Sequence, residues 1–340
     1  MSRGPVGWYV HHVGSGHLTT ARLVAPLMRT PVVVLSSAPR PAGWPEDRWV
    51  ALPLDDAPGG HAHEAGGALH WAPLDHGGYR DRMAAVAAWV ASAHPSLLVS
   101  DVSVEVTLMA RLLGVPVATM VMAGDRSDRP HRLAYDAATL LFAPFPEGAE
   151  VAAGLRPAWR RKTVSLGALS RFDDRRPTPV TPSRRVTMLW GHGGSAVTDA
   201  DVRAAMDATP GWSWTVCDTT DPDEVWSLLQ AAEVVVAHAG QSVVAEVAAA
   251  RRPAVIVPQP RPHDEQSSLA SGLADLGLTP RVGQWPAPEQ WPGLLTAARR
   301  SDPAGWVRWS DGRGAPRMAG CLDRLAAEGT EGTQGTEGAA

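Results

Sequence analysis

A glycine-rich loop that ends in a histidine, Gly14-Ser15-Gly16-His17, follows the first apolar run of the chain, Trp8–Val13. Glycines let backbone approach a ligand closely, and a neutral imidazole can accept a proton at physiological pH. We therefore expect His17 to act as a general base, unless it only caps the helix after a tight turn. Because side chains alternate along a strand, one of His11 and His12 should face a cleft and the other should pack inside.

A second loop of small residues follows the apolar run Val234–His238 and leads into a helical pattern. Free N–H groups at a helix start, together with the helix dipole, favour a phosphate group. The residues expected to bind a diphosphate there are His238, Gly240, Gln241 and Ser242. Glu246 follows one helical turn beyond Ser242 on the same face, where its carboxylate can accept hydrogen bonds from ribose hydroxyls. A solvent-exposed glutamate on a surface helix is the alternative for Glu246 alone.

Two further loops should reach the same edge of this sheet. The segment Pro258–Gln266 presents Glu265 and Gln266, which we expect to bind sugar hydroxyls, and Asp264 is a candidate N-cap of the next helix. The loop Gly191–Ser195 lacks the Lys-Ser/Thr ending of a P-loop, so only its position after an apolar run suggests phosphate binding. The expected phosphate contacts in this loop are Gly193, Gly194 and Ser195.

Polar and aromatic residues in the first half of the chain are candidates for binding a second ligand. Asp101 ends an apolar run and either orients His17 and stabilises its imidazolium, or caps the following helix. The histidines of residues 59–82 have loose spacing and no closed ligand set, so we predict a mobile binding loop there instead of a metal site. The expected contacts of the second ligand are Gly16, His12, His70, Trp71, His76 and Arg126.

Two Asp-x-Asp strings, Asp199–Asp201 and Asp221–Asp223, resemble ligands of a metal–diphosphate complex. Both stand where helical patterns begin, and Pro222 suits a first helical position, so we interpret them as helix starts. The two cysteines, Cys217 and Cys321, show no metal-ligand spacing. We therefore expect no metal and no cofactor.

Short apolar runs alternate with longer helical patterns along most of the chain. Near-continuous apolar strands separated by helices are typical of parallel sheets covered on both faces, so we predict an α/β fold with two Rossmann-like domains. The expected division is a first domain at 1–167, a Pro- and Arg-rich linker at 168–185, a second domain at 186–328, and a disordered Gly/Thr/Glu-rich tail at 329–340.

The segment VVVAHAGQSVVAEVAAARRPAVIVPQPRPHDEQ, residues 234–266, and the GSGH loop resemble the GT-B glycosyltransferases. The resemblance is to the family 28-like branch that contains the peptidoglycan N-acetylglucosaminyltransferase, and the strings VSDVSVEV and RPHDEQ resemble actinobacterial members. It implies two domains facing a cleft, with the donor diphosphate at His238–Ser242, the ribose at Glu246 and the transferred sugar at Glu265 and Gln266. His17 would be the base. The cell-wall enzyme has an arginine where this chain has His238.

The implied activity is inverting, metal-independent transfer of a sugar from a nucleotide diphosphate sugar, with a UDP-sugar favoured, to an acceptor hydroxyl or similar nucleophile. Cell-wall or secondary-metabolite glycosylation is the expected context. A nucleotide-sugar hydrolase or 2-epimerase on the same fold is one alternative. A non-catalytic nucleotide-sugar-binding helper protein is another, because a fold by itself does not determine function.

Composition excludes several other classes of protein. The chain has 340 residues, a formal net charge of -4 and no Lys/Arg block, which argues against a nucleic-acid partner. Its first residues lack the apolar run of a signal peptide, and no apolar stretch is long enough to span a bilayer. We therefore expect a cytoplasmic protein whose partners are a nucleotide-sugar donor and an acceptor, with peripheral membrane contact left open.

Overall fold

The structure, a computed structural model, describes residues 4–12, 16–190 and 197–328. The strands in this part of the chain are β1 (Val6–Val10), β2 (Val32–Ser36), β3 (Trp49–Ala51), β4 (Leu97–Ser100), β5 (Val117–Met120), β6 (Gly124–Asp125), β7 (Leu140–Ala143), β8 (Ala152–Ala153), β9 (Thr163–Ser165), β10 (Arg185–Leu189), β11 (Ser213–Val216), β12 (Val234–His238) and β13 (Ala254–Val257). The α-helices are α1 (Gly16–Val24), α2 (Gly77–Ala93), α3 (Val104–Leu112), α4 (Arg129–Ala137), α5 (Pro157–Arg160), α6 (Asp199–Asp207), α7 (Pro222–Ala231), α8 (Gln241–Ala250), α9 (Glu265–Asp275), α10 (Trp291–Arg299) and α11 (Gly314–Glu328).

Two parallel sheets organise these elements. The first has seven strands in the order β3-β2-β1-β4-β5-β7-β9, and the second has four strands in the order β11-β10-β12-β13. Their neighbouring strands pair in parallel throughout. The short strands β6 and β8 pair with each other outside both sheets. The sheets use strands from opposite sides of the predicted linker, and the exact domain boundaries remain a proposal.

The central strands are buried along their whole length because helices cover both faces of each sheet. All residues of β1, β4 and β13 are buried, which explains their near-continuous apolar sequence. Strand β12 coincides with the predicted run Val234–His238, whereas β1 ends at Val10, before the predicted end at Val13. His11 and His12 therefore lie beyond the strand, where its alternation of side chains no longer applies.

The last described helix, α11, returns to the first sheet. Its residues Met318 and Leu322 belong to the same apolar cluster as Trp8 of β1. The buried Asp323 carboxylate accepts hydrogen bonds from the backbone N–H groups of Arg29 and Thr30, each at 3.0 Å. A helix from the end of the chain thus completes the core around its first strand, although the predicted division assigns it to residues 186–328. In the described residues, no helix is long and apolar enough to cross a membrane.

We predict that Leu322→Ala destabilises the protein. Leu322 is fully buried, and removing a buried leucine side chain costs about 2–5 kcal/mol through lost transfer free energy and the cavity left behind. Leu112→Ala is the matched control, because this helical leucine is 87% exposed. Urea unfolding should show the loss for Leu322→Ala and a change within about 0.5 kcal/mol for Leu112→Ala. Equal effects of the two substitutions would contradict the packing of α11 on the first sheet.

Candidate active site

The carboxyl ends of the central strands carry the candidate residues. Strand order reverses between β1 and β4 in the first sheet and between β10 and β12 in the second. Open parallel sheets bind ligands in the crevice at such a reversal. His11, His12 and Asp101 follow the first pair of strands, and Trp190 and Ala239 follow the second.

His17 and Asp101 form a hydrogen bond, with His17 Nδ1 3.0 Å from Asp101 Oδ2. Burial lowers the pKa of the His17 imidazole, but the Asp101 carboxylate and its hydrogen bond outweigh that effect, so the net pKa is raised. Because Nδ1–H is donated to Asp101, Nε2 carries the lone pair that can accept a proton. Helix α3 is capped instead by Ser103, which accepts from the Val106 N–H at 3.2 Å, so the alternative role of Asp101 as its cap is wrong.

A cavity of about 360 Å³ lies at the same edge of the first sheet. The predicted contacts His12, His70 and Trp71 line it. A buried ion pair between Arg82 and Asp55, at 2.8 Å, also lines the cavity. Arg82 Nη2 lies 3.3 Å from His12 Nδ1, so the guanidinium donates to that ring nitrogen. The cavity thus combines aromatic walls with fixed polar groups.

Both His11 and His12 line this cavity, so the expectation that one of them packs inside is wrong. Their ring centroids are 4.8 Å apart in a stacked arrangement, and His11 also meets the His17 ring edge-on at 6.3 Å. Burial, with the neighbouring imidazoles of His12 and His17, lowers the pKa of His11. His11 therefore favours its neutral form next to the candidate base.

His76 does not line the cavity as predicted. It is buried, its Nδ1 accepts from the Tyr79 N–H at 3.0 Å, and its Nε2 lies 2.9 Å from the Ala57 carbonyl oxygen. Both ring nitrogens are used in capping α2 and fixing the preceding loop. His76 is thus a structural residue of the segment 59–82, and we withdraw it from the second-ligand site.

At the second sheet, His238 and Gly240 form one unit. The Gly240 N–H donates to His238 Nδ1 at 2.9 Å, and a Cβ on Gly240 would collide with the His238 ring. Burial and the Arg261 cation lower the pKa of His238 to about 4, so the imidazole is neutral at pH 7. Since Nδ1 accepts, the proton of the neutral ring resides on Nε2, which can donate to an anion. Gln241 and Ser242 begin α8, whose N-cap Gly240 provides no side-chain cap.

A second cavity, of about 530 Å³, has Ser242 and Glu246 in its wall. Arg171, from the predicted linker, forms an ion pair with Glu246 Oε1 at 2.8 Å. Burial raises the pKa of the Glu246 carboxyl, although Arg171 opposes the rise. Only 13% of the Glu246 side chain is exposed, so it is not the surface glutamate of the alternative interpretation. Thr19 of α1 and Trp190 line the same cavity.

The starts of α1 and α8 approach each other across this cleft. A Cβ built on Gly16 would lie 3.2 Å from Ser242 Oγ. Gly16 was expected to contact the second ligand, and in the structure it lies against Ser242, one of the residues expected to bind the diphosphate. Its missing side chain lets the segment of His17 come next to Ser242.

At the start of α9, Glu265 and Gln266 have partners within the protein that the sequence did not indicate. Glu265 Oε2 pairs with Arg126 Nη2 at 2.9 Å, so a residue expected to bind sugar and one expected to bind the second ligand bind each other. Gln266 is buried, and its Oε1 accepts from the Gln259 N–H at 3.0 Å, which fixes the loop instead of reaching into the cleft. Asp264 makes no side-chain cap for α9.

His70 belongs to a further polar cluster, together with Asp128, His131 and His263. His131 Nδ1 lies 2.8 Å from both carboxylate oxygens of Asp128, and His70 Nε2 lies 3.4 Å from Asp128 Oδ2. His263 Nδ1 lies 3.6 Å from the same oxygen. Burial lowers the pKa of His131 to about 4, whereas hydrogen bonds from His131 outweigh the burial of Asp128 and lower the pKa of that carboxyl to about 2.

The Asp-x-Asp strings are helix starts, as predicted. Thr198 and Asp201 form a capping box at α6, and Asp221 accepts from two backbone N–H groups at the start of α7. The predicted phosphate contacts Gly193, Gly194 and Ser195, and the predicted tail 329–340, lie outside the described residues.

Several residues of these cavities had no assignment from sequence. Arg171 is one of many arginines in the linker, and nothing in the linker pattern separates it from its neighbours. Arg82 and Asp55 are far apart in sequence, so no spacing indicates their pairing. Trp190 follows β10 directly, and this position at the carboxyl edge is a signal that could have identified it.

Comparisons with known proteins agree with this geometry. Residues 220–284 match the glycosyltransferase family 28 C-terminal domain, a segment that contains α7, β12, α8, β13 and α9. No curated protein sequence matches the chain. The family match therefore covers the elements around the predicted diphosphate loop, and it supports the prediction of a glycosyltransferase.

Solved structures share the fold over nearly the whole chain. The spinosyn rhamnosyltransferase SpnG has a TM-score of 0.61 at 16% identity, covering 94% of this chain and 100% of that chain. MurG of Acinetobacter baumannii has a TM-score of 0.58 at 17% identity, covering 94% and 99%. LpCGTa in complex with UDP has a TM-score of 0.56 at 15% identity, covering 95% and 99%. The predicted α/β fold of the GT-B type is confirmed, while the actinobacterial branch remains a prediction.

We predict that Asp101→Asn lowers the pKa of the His17 imidazole. The carboxylate is the main group that raises this pKa against burial, and its neutral amide counterpart cannot replace the charge. NMR titration of the His17 ring, assigned by its loss in His17→Gln, should show the midpoint moving to lower pH. An unchanged or higher midpoint would show that Asp101 does not stabilise the imidazolium.

Proposed function

We propose that the protein is an inverting glycosyltransferase that moves a sugar from a nucleotide diphosphate sugar to an acceptor hydroxyl or similar nucleophile. The observation that carries this proposal is the approach of Gly16, the residue before His17, to Ser242 in the first turn of α8, together with the hydrogen bond between His17 and Asp101. A candidate proton acceptor would then lie close to a helix start that suits an anion. That combination suits an attack in which a proton is removed while a phosphate leaves.

On the donor side, the diphosphate would lie at the start of α8. An anion can be bound there by the helix dipole, by the N–H groups of Gln241 and Ser242 and by the Nε2–H of His238. Glu246 would accept ribose hydroxyls through Oε2, since Oε1 is paired with Arg171. The neighbouring Trp190 offers an aromatic surface for the nucleoside. UDP is the favoured nucleotide, in keeping with the complex of the structural relative LpCGTa with UDP.

On the acceptor side, the cavity lined by His12, His70 and Trp71 would hold the nucleophile. The acceptor oxygen attacks the anomeric carbon while His17 Nε2 takes its proton and the bond from that carbon to the diphosphate oxygen breaks. Asp101 stabilises the imidazolium that forms. The leaving nucleoside diphosphate is stabilised by the helix start and His238, so the proposed chemistry needs no metal on the diphosphate. Glu265 contributes to the sugar site once its pairing with Arg126 is exchanged for sugar hydroxyls.

Nucleotide release tests the proposal as a whole. A panel of nucleotide sugars is first ranked by thermal shift, since a ligand at 100 times its dissociation constant adds about 2.7 kcal/mol to stability. The best donor is then incubated with and without a panel of hydroxyl acceptors. Acceptor-dependent release with a glycosylated product supports a transferase. Release that is equally fast without acceptor indicates a hydrolase, and binding without turnover indicates a non-catalytic protein.

We predict that His17→Gln reduces turnover by about 10²–10⁴, the usual contribution of a positioned general base. The amide cannot take the acceptor proton, and the donor site lies on the other sheet, so donor affinity should stay close to that of the unchanged protein. His94→Gln is the matched control, because His94 is exposed at the end of α2. Near-normal turnover of His17→Gln would transfer the role of base to His12 or Asp101.

We predict that Glu246→Ala weakens nucleoside diphosphate binding more than it slows turnover. A hydrogen bond to a charged group contributes about 1.5–3 kcal/mol, equivalent to roughly ten- to a hundredfold in affinity. Glu246→Gln separates the loss of charge from the loss of shape, and the exposed Glu289→Ala is the control. Calorimetry with UDP measures the effect. An affinity equal to that of Glu289→Ala would remove Glu246 from the ribose site.

A further inference from the structure

Among the described residues, four side chains from distant parts of the chain bring potential metal ligands together. They are His70, Asp128, His131 and His263, here called the His3Asp cluster. One ligand atom from each residue lies within 4.8 Å of the others. We propose that the His3Asp cluster is a binding site for one divalent transition-metal ion of the zinc type. The site shares only His70 with the histidine-rich segment 59–82.

The distances from Asp128 to His70 and His263 are close to those of a tetrahedral site, and no two ligand atoms of the cluster are more than 4.8 Å apart. In a zinc site with metal–ligand distances of about 2.0–2.2 Å, neighbouring ligand atoms lie about 3.3–3.5 Å apart. Asp128 Oδ2 is 3.4 Å from His70 Nε2 and 3.6 Å from His263 Nδ1. Its distance of 2.8 Å from His131 Nδ1 is shorter, as expected of a hydrogen bond that the ion would replace.

The chain fixes most of these ligands in place. Glu105 accepts the backbone N–H groups of His70 and Trp71, at 2.9 and 3.1 Å, and so anchors the loop of the first ligand. Asp128 is the N-cap of α4, and its Oδ1 accepts the His131 N–H at 2.9 Å, which leaves Oδ2 directed at the three rings. His131 follows three residues later on the same helix.

His263 reaches the cluster through an unusual backbone. His263 and Asp264 have φ values of 61° and 53°, in the left-handed region that residues other than glycine rarely adopt. Its carbonyl also packs so closely on Gly124 that a Cβ at Gly124 would collide with it. Such strain persists only where surrounding contacts over-determine it, and binding energy at a metal would contribute to holding it.

The donor set selects the class of ion. Three imidazole nitrogens and one carboxylate suit zinc and its neighbours, whereas magnesium and calcium prefer oxygen ligands. The side chains of His70, Asp128 and His263 are 36%, 33% and 30% exposed, which provides a route of entry, whereas His131 is nearly buried. Arg126 lines the small cavity beside His131 and His263, but Glu265 balances its charge. The carboxylate of Asp128 then supplies the negative charge next to the ion.

The proposed ion would join the two sheets. His263 follows β13 of the second sheet, and the other three ligands lie between strands of the first. A bound ion would hold the loop of Glu265 against the first sheet next to the cleft. This role is structural and independent of the diphosphate, so it does not rest on the proposed sugar transfer.

Metal titration of the full chain, stripped with chelator and without a histidine tag, tests the site. Calorimetry with Zn²⁺ should show one ion bound per chain, and Co²⁺ should give the visible absorption of a tetrahedral site. His131→Ala and His263→Ala should each weaken Zn²⁺ binding at least about 100-fold, because loss of even an outer-shell partner costs 10–100-fold. His61→Ala, a 66% exposed histidine of the segment 59–82, should bind as the unchanged protein does.

Melting temperatures measured with and without Zn²⁺ provide a second test, because the shift caused by the ion can be measured even for a destabilised variant. Zn²⁺ should raise the melting temperature of the unchanged protein and of His61→Ala, and it should leave His263→Ala and the milder His263→Gln unaffected. The proposal is overturned if Zn²⁺ does not bind, if Co²⁺ shows only octahedral absorption, or if the cluster variants bind Zn²⁺ as tightly as His61→Ala.

Discussion

The parallel pairing of β1 with β4 and of β10 with β12 is the constraint on which the candidate site depends. Parallel strands all end at the same edge of a sheet, and the reversal of strand order opens a crevice there. In each sheet the candidate site residues follow these two strands. The pairing therefore places His17 next to Asp101 at the first sheet. At the second sheet it places His238 beside the start of α8.

Glycines allow the loops at the carboxyl edges of the two sheets to approach each other. Gly16 lets the segment of His17 approach Ser242, and Gly240 makes room for the ring of His238. A Cβ at Gly16 would lie 3.2 Å from Ser242 Oγ, and a Cβ at Gly240 would collide with the His238 ring. The candidate base His17 has a raised pKa, whereas His238 has a lowered pKa and is neutral. Burial lowers the pKa of both rings, but the Asp101 carboxylate outweighs it at His17 and the Arg261 cation adds to it at His238.

Contacts away from the candidate site also connect the two sheets. The ion pair of Arg126 with Glu265 and the His3Asp cluster both connect the loop after β13 to the first sheet. Helix α11 returns from the end of the chain to complete the core around β1. Arg126 holds Glu265 in this arrangement, so the proposed function implies that donor binding breaks a contact between the two sheets.

Apolar periodicity and small-residue turns are local properties, and they were enough to predict the class of fold, the central strands and the loops that are candidates for ligand binding. His17, Asp101 and Glu246 were proposed as site residues in the same way, because their positions next to strand ends or helix starts are visible in the chain. The partners of these residues become visible only in the folded chain: Arg171 for Glu246, Arg126 for Glu265, and Asp128 for the three histidines of the cluster. In the folded chain His76 caps α2, and the Gln266 side chain accepts a hydrogen bond from its own loop. These pairings join residues that lie far apart in sequence or depend on the path of a loop, and local patterns contain no information about either.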